Sequence, residues 1–322
     1  MTLCIFFGVF ASCTAYLIVI GDFLTPLVES LLPNLSDART VTVTVACTFI
    51  MFPLSLYPEL RRLAPFSAFA MSALWLLVVL IVISTLQVLQ DNDQAPDIHW
   101  VTRRFPVEEW YGWFRVLPII AFSFNGQPVL VPLFAELQTS LKPKAFSQVI
   151  LPSTVTASVM FISVGFLGYL QFGNDVQADV LLEFDDNDTF ANVVRIAISI
   201  AVMLHYPLVL FPMRQSLDSL MFPGSELTFL RTTLQTAGII LTTLVISLVF
   251  PSVERVFGLA GGTIGSLLCY IIPGMLLYQL PNPTRADTVM RVFLPVFGVI
   301  FTLLTTLATI LTNLYPLDID QN

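Results

Sequence analysis

An all-α, multi-pass membrane protein is the fold class this sequence predicts. Nine apolar runs of spanning length recur along the 322 residues, only 11% of the chain is charged, and its mean hydropathy is +0.84. A soluble domain is roughly a quarter charged, so this chain has too little polar surface to face water. A soluble enzyme and a disordered segment are excluded together. The net charge of −8 leaves no basic field that could hold nucleic acid.

A spanning helix takes roughly 17 to 25 mostly apolar residues. The runs that meet this are 3–24, 40–57, 66–88, 114–137, 149–172, 190–211, 229–250, 256–280 and 292–314. Lipid cannot satisfy free peptide groups, so a segment crosses it as a helix or as a strand of a closed barrel. Unbroken apolar runs without alternation of period two select helices. Residues 1–322 are therefore expected to form a single transmembrane bundle.

Arg61, Arg62, Lys142, Lys144, Arg214 and Arg231 fall on one side of the bundle, together with Arg285 and Arg291. Most of the acids, including Glu183, Asp185, Asp186 and Asp188, fall on the other. The positive-inside rule makes the first side cytoplasmic, with the N-terminus inside and the C-terminus outside. The triplets Asn34-Leu35-Ser36 and Asn187-Asp188-Thr189 lie on the outer side. They make Asn34 and Asn187 glycosylation candidates, although such triplets also arise by chance. Met1 adjoins the first apolar run with no basic stretch and no cleavage signal, which does not read as a signal peptide. Cys4, Cys13, Cys47 and Cys269 all sit in apolar runs, as small hydrophobes do. With two histidines, His99 and His205, and no spaced Cys/His set, neither a metal site nor a cofactor is expected.

Polar or helix-breaking residues inside a bilayer are costly, so each is a functional candidate with a packing explanation beside it. In the first segment Asp22 follows Tyr16 and Gly21. It reads as an acid in a proton path or as an interfacial acid that meets water. The fourth segment holds Pro118, Pro128 and Pro132 with Gly126, and Ser123, Asn125 and Gln127 at the same depth. Prolines remove amide donors and invite a break, and a broken helix presents peptide groups that can hold a small zwitterion or an ion. The plainer alternative is a kinked packing helix whose polar groups satisfy one another. In the sixth segment, His205-Tyr206-Pro207 precedes Pro212 and Arg214. A buried imidazole can accept and pass a proton near neutral pH, whereas a helix kink needs only a polar filler. In the eighth, Gly261 and Gly265 have the small-xxx-small spacing of close helix packing. An intramembrane enzyme would need paired acids or a Ser/Lys or Ser/His set. Asp22 and His205 are the strongly titratable groups well inside the spans, so no enzyme is expected.

Several stretches carry a resemblance. They are 15–22 with Tyr16, Gly21 and Asp22; Pro53 to Leu56; Ala121 to Pro128 with Pro132 and Glu136; Gly165 to Gly173 with Val180 to Leu182; Pro207 to Arg214; and Val256 to Pro273. In order, they resemble the third, fourth, sixth, seventh, eighth and tenth helices of the amino acid/auxin permease family, in its sodium-coupled neutral amino acid transporter branch. The resemblance implies a LeuT-like inverted-repeat bundle of the APC superfamily, with nine of the usual eleven helices present. It implies carriage of a small neutral L-amino acid by alternating access, with Tyr16, Ser123, Phe124, Asn125, Gly126 and Gln127 on the substrate. The match begins at the family's third helix, so a truncated form, inactive alone, is expected. Sodium-coupled members place a hydroxyl residue just before the eighth-helix proline. Here that stretch reads Ala201-Val202-Met203-Leu204-His205-Tyr206, and neither thioether nor imidazole suits a hard ion. His205, Tyr206 and Asp22 are accordingly candidates for coupling to H+, with Na+ as the other partner, in the plasma membrane or a vacuolar/lysosomal membrane. The competing reading is a sensor or scaffold that binds an amino acid without moving it.

Overall fold

A computed structural model describes residues 2–56, 64–90, 110–126, 128–130, 134, 142–173, 176–177, 179–225 and 228–314, and nearly all of these are helical. No strand occurs among them. The helices are α1 (Thr2–Leu31), α2 (Ala38–Ser55), α3 (Ala64–Gln90), α4 (Trp110–Ser123), α5 (Phe146–Phe172), α6 (Thr189–Met221), α7 (Phe229–Val249), α8 (Val253–Gln279) and α9 (Arg285–Leu314). All but α4 contain a stretch long and apolar enough to cross a membrane, so the chain is a multi-pass integral membrane protein.

The longest helices outrun their apolar runs. At 33 residues α6 is ~50 Å long, against ~30 Å of hydrocarbon. It continues past Phe211 to Met221 with Pro207 and Pro212 inside it, both buried against neighbours. Elsewhere, prolines leave a regular mark. The wide-turn segments Ala46–Met51, Phe146–Ile150 and Leu267–Ile271 each finish two residues before a proline, at Pro53, Pro152 and Pro273. The proline ring pushes away the carbonyl one turn earlier, and widening that turn relieves the clash.

Helices α1 and α6 form the centre. Val9, Cys13, Leu17 and Ile20 recur at helical spacing on one face of α1 and meet Tyr206, Leu210 and Met213 of α6. Val43 and Met51 of α2 and Ile239 of α7 close this cluster. A second cluster joins Phe23 of α1 to Leu80 and Ile81 of α3 and to Val194 and Ile198 of α6. By contrast, α5 buries only Met160 and Gly168, and its Phe161, Ile162 and Phe166 point outward, as lipid-facing side chains do.

Candidate functional site

The fourth apolar run is interrupted where its composition demands. Helix α4 ends at Ser123, Phe124 turns, Asn125 and Gly126 are non-helical, and helix resumes at Pro128. Within the break the Asn125 N–H donates to the Phe122 carbonyl and the Gly126 N–H to that of Phe124, both at 2.9 Å. The Gly126 carbonyl then accepts the Val129 and Leu130 amides at 3.2 and 2.9 Å, which restarts the helix. Ser123 Oγ donates back to the Ile119 carbonyl at 2.8 Å, so its proton is committed within α4. Asn125 differs. Its Oδ1 is buried and accepts no hydrogen bond among the described residues. An orphaned buried acceptor costs about 1–3 kcal/mol, which a donor brought by a ligand would recover. Gln127, Pro132 and Glu136 lie outside the described residues.

The break is held against α8 and α9. A Cβ on Gly261 would overlap the Pro118 carbonyl and lie 3.1 Å from Phe122 Cβ, so only glycine permits this approach. Phe122 also stacks obliquely on Phe257 at 5.2 Å and packs with Ala260 and with Ala11 of α1. On the α9 side, a Cβ on Gly262 would lie 2.7 Å from Thr305 Oγ1. Beside this contact a cavity of about 510 Å³ is lined by Leu117, Ala121 and Phe124 of the α4 segment, Tyr270 of α8, and Phe297 and Phe301 of α9. Its walls are almost wholly apolar and do not include Asn125, so it suits hydrocarbon better than a zwitterion.

The other candidates divide into three arrangements. The Tyr16 and His205 rings face each other across the α1–α6 contact, centroids 6.4 Å apart and tilted by 57°. Tyr206 is fully buried, with its phenol oxygen 3.2 Å from Thr243 Oγ1 of α7. The Thr243 hydroxyl donates to the Ile239 carbonyl at 2.9 Å, which leaves the tyrosine as donor in the pair. Tyr206 thus ties α6 to α7. Asp22 accepts the Arg39 guanidinium at 2.7 Å, and a second Arg39 nitrogen donates to the Ile18 carbonyl at 3.4 Å. Asn34 and Asn187 are both exposed.

Three arginines acquire roles that their places in the sequence did not announce. Arg39 is the counter-charge of Asp22, Arg195 is 1% exposed, and Arg214 is 8% exposed inside α6 rather than in a connection. The only signal for the first was a glycine next to an acid, Gly21-Asp22, which opens room for a long side chain.

A family model described as transmembrane amino acid transporter protein matches residues 1–314. The chain is similar to solute carrier family 38 member 10 of Mus musculus, 30% identical over 96% of this chain and 29% of the relative. It is also similar to the putative sodium-coupled neutral amino acid transporter 10 of Xenopus laevis, at 26% over 96% of this chain and 30% of the relative. Sodium-coupled neutral amino acid transporter 7 of Danio rerio matches at 28%, over 84% of this chain and 60% of the relative. The chain spans less than a third of the length of the first two relatives. A transporter family, not an enzyme class, covers it almost from end to end. On the interrupted fourth segment, the polar groups at its break and this match, the chain belongs to the transmembrane amino acid transporter family.

Proposed function

We propose that the protein carries small neutral L-amino acids across its membrane by alternating access, with the α4 break as the substrate seat. One observation carries the reading: at Phe124–Gly126 the helix opens and leaves the Asn125 Oδ1 acceptor buried with no partner among the described residues. That oxygen suits the ammonium of a zwitterion. Phe124, packed edge-on against Phe161 of α5 at 5.4 Å, would form an apolar wall, and Ser123, Gln127 and Tyr16 complete the proposed set.

Transport is ion-coupled in this reading. Two of the three relatives carry sodium in their names, and His205 against Tyr16 is the group a proton would use. Uptake that follows sodium at fixed pH and survives His205→Ala assigns Na+. Uptake that follows the pH gradient and falls in that variant assigns H+.

The substrate seat is tested by uptake of radiolabelled neutral amino acids, paired with equilibrium binding to the purified protein. Asn125→Leu removes one hydrogen bond to a charged group, worth about 1.5–3 kcal/mol, so affinity drops by roughly 10- to 100-fold. Unchanged affinity in a folded Asn125→Leu protein would refute the seat. Saturable binding without accumulation is the outcome of the sensor reading.

A further inference from the structure

In the connection between α5 and α6, on the side that the charge pattern assigns to the exterior, residues 179–188 fold back over the bundle. Its short helix Val180–Glu183 drives Leu181, 1% exposed, into the cluster formed by Phe23 of α1, Ile81 of α3 and Val194 of α6. Arg195 of α6 staples it from beneath. The guanidinium donates to the carbonyls of Leu181 and Phe184 at 2.9 and 2.7 Å, to the Asp186 carboxylate at 3.0 Å and to Asn192 at 2.9 Å. Phe184 in turn sets its ring edge-on to Phe172 at the end of α5, 5.5 Å away.

Asp179 opens this loop. Its Oδ1 accepts the Leu181 N–H at 3.1 Å, capping the short helix. The charges around it come from three helices and the loop itself. Asp22 of α1 faces it, paired with Arg39 of α2, and Arg195 faces it from α6. Within the loop, Glu183 holds the Gln177 N–H, Asp185 holds Asn187, Asp186 holds Arg195, and Asp188 caps α6. Neither α3 nor α5 contributes a charged residue. Burial first, and then the negative charge of Asp22, raise the Asp179 carboxyl to about 6, against the lowering effects of the Leu181 bond and of Arg195.

We propose that loop 179–188 is a proton-operated cover, seated on α1, α3 and α6 when Asp179 is protonated and loosened when it is ionised. The sign follows from linkage. Seated, Asp179 keeps its proton up to about pH 6; released into water it is an ordinary carboxyl with a pKa near ~4. Seating therefore takes up a proton, is strongest below pH ~4, and weakens by roughly a hundredfold in total as pH rises to ~6, with no further change above. An acidic exterior or lumen holds the cover down.

Amide hydrogen exchange over 180–187, on the protein in lipid nanodiscs, reads the seating without any reference to transport. Asp179→Asn keeps the capping oxygen and removes the charge, and comparison at equal pH cancels the intrinsic chemistry of exchange. Near pH 4 the two proteins should be protected almost equally, near pH 5 the parent should exchange about tenfold faster, and at pH 7.5 up to roughly a hundredfold faster. A ratio that does not change with pH overturns the proposal. Asp22→Asn, which leaves the loop itself intact, should move the parent's transition to lower pH, and a transition that stays in place overturns the part assigned to Asp22. If Asp179→Asn does not fold, the parent decides: protection over 180–187, corrected for intrinsic exchange, that does not fall between pH 4 and pH 6 overturns the proposal.

Discussion

Arg39 reaches Asp22 by lying across Gly21. The ion pair closes at 2.7 Å, and a Cβ on Gly21 would come within 3.1 Å of the guanidinium carbon. The pair is one-sixth to one-third exposed, near the end of α1, so its charges are neither bare nor fully hydrated. Asp22→Asn leaves a half-buried cation without its partner and should lower stability by about 1.5–3 kcal/mol, the worth of a charge-assisted hydrogen bond. Replacing both residues, as Asp22→Leu with Arg39→Met, should recover most of that loss, because a pair exchanged for apolar groups is often neutral. Thermal melting in detergent checks both. A double variant as unstable as Asp22→Asn would show that the pair is held for more than mutual neutralisation.

The α4 segment that leads into the break packs directly on Gly261 of α8. Gly261→Ala places a methyl on the Pro118 carbonyl, a backbone atom that cannot rotate away, so α4 must move off α8. Overpacking of this kind costs about 1–3 kcal/mol. Gly165→Ala is the control, since a Cβ there meets nothing within 4 Å and alanine is the better helix former. We expect Gly261→Ala to lower both melting temperature and amino acid affinity while Gly165→Ala lowers neither. Equal behaviour of the two would dissociate the α4–α8 contact from the site.

How much of this was legible in the residues follows from the range of the interactions. Hydropathy is a sum over neighbours in sequence, so nine apolar segments could be read directly, and Asn125-Gly126 between Pro118 and Pro128 announced an interruption because every cause lies within one turn or two. The ends of α6 could not be read this way, since its last turns are held by partners on other helices. Nor could the pairing of Tyr206 with Thr243, 37 residues away. A histidine and a tyrosine side by side in one helix look equivalent in sequence, yet the helical turn sends His205 toward Tyr16 and Tyr206 into the core toward α7. Charge is the hardest to read. Arg214 counts toward topology as though it stood in a connection, yet it and Arg195 are both buried donors to backbone carbonyls.

Arg214 supports the last prediction. Its Nη1 donates to the Ser55 carbonyl at 2.9 Å, joining α6 to the final turn of α2 across 159 residues of sequence. Carbonyls in a last helical turn have no partner within the helix and carry the negative end of its dipole, so a buried cation there answers both needs. The Ser55 hydroxyl cannot take over, because it donates to the Met51 carbonyl at 2.7 Å. Arg214→Met keeps the length and apolar stem of the side chain but strands the Ser55 oxygen, at a cost of about 1–3 kcal/mol. Arg214→Lys retains a positive donor on a different stem and should restore part of the loss. Melting temperatures should therefore rank the parent first, Lys second and Met last. If methionine proves as stable as arginine, the residue serves membrane orientation alone and the contact with α2 contributes nothing.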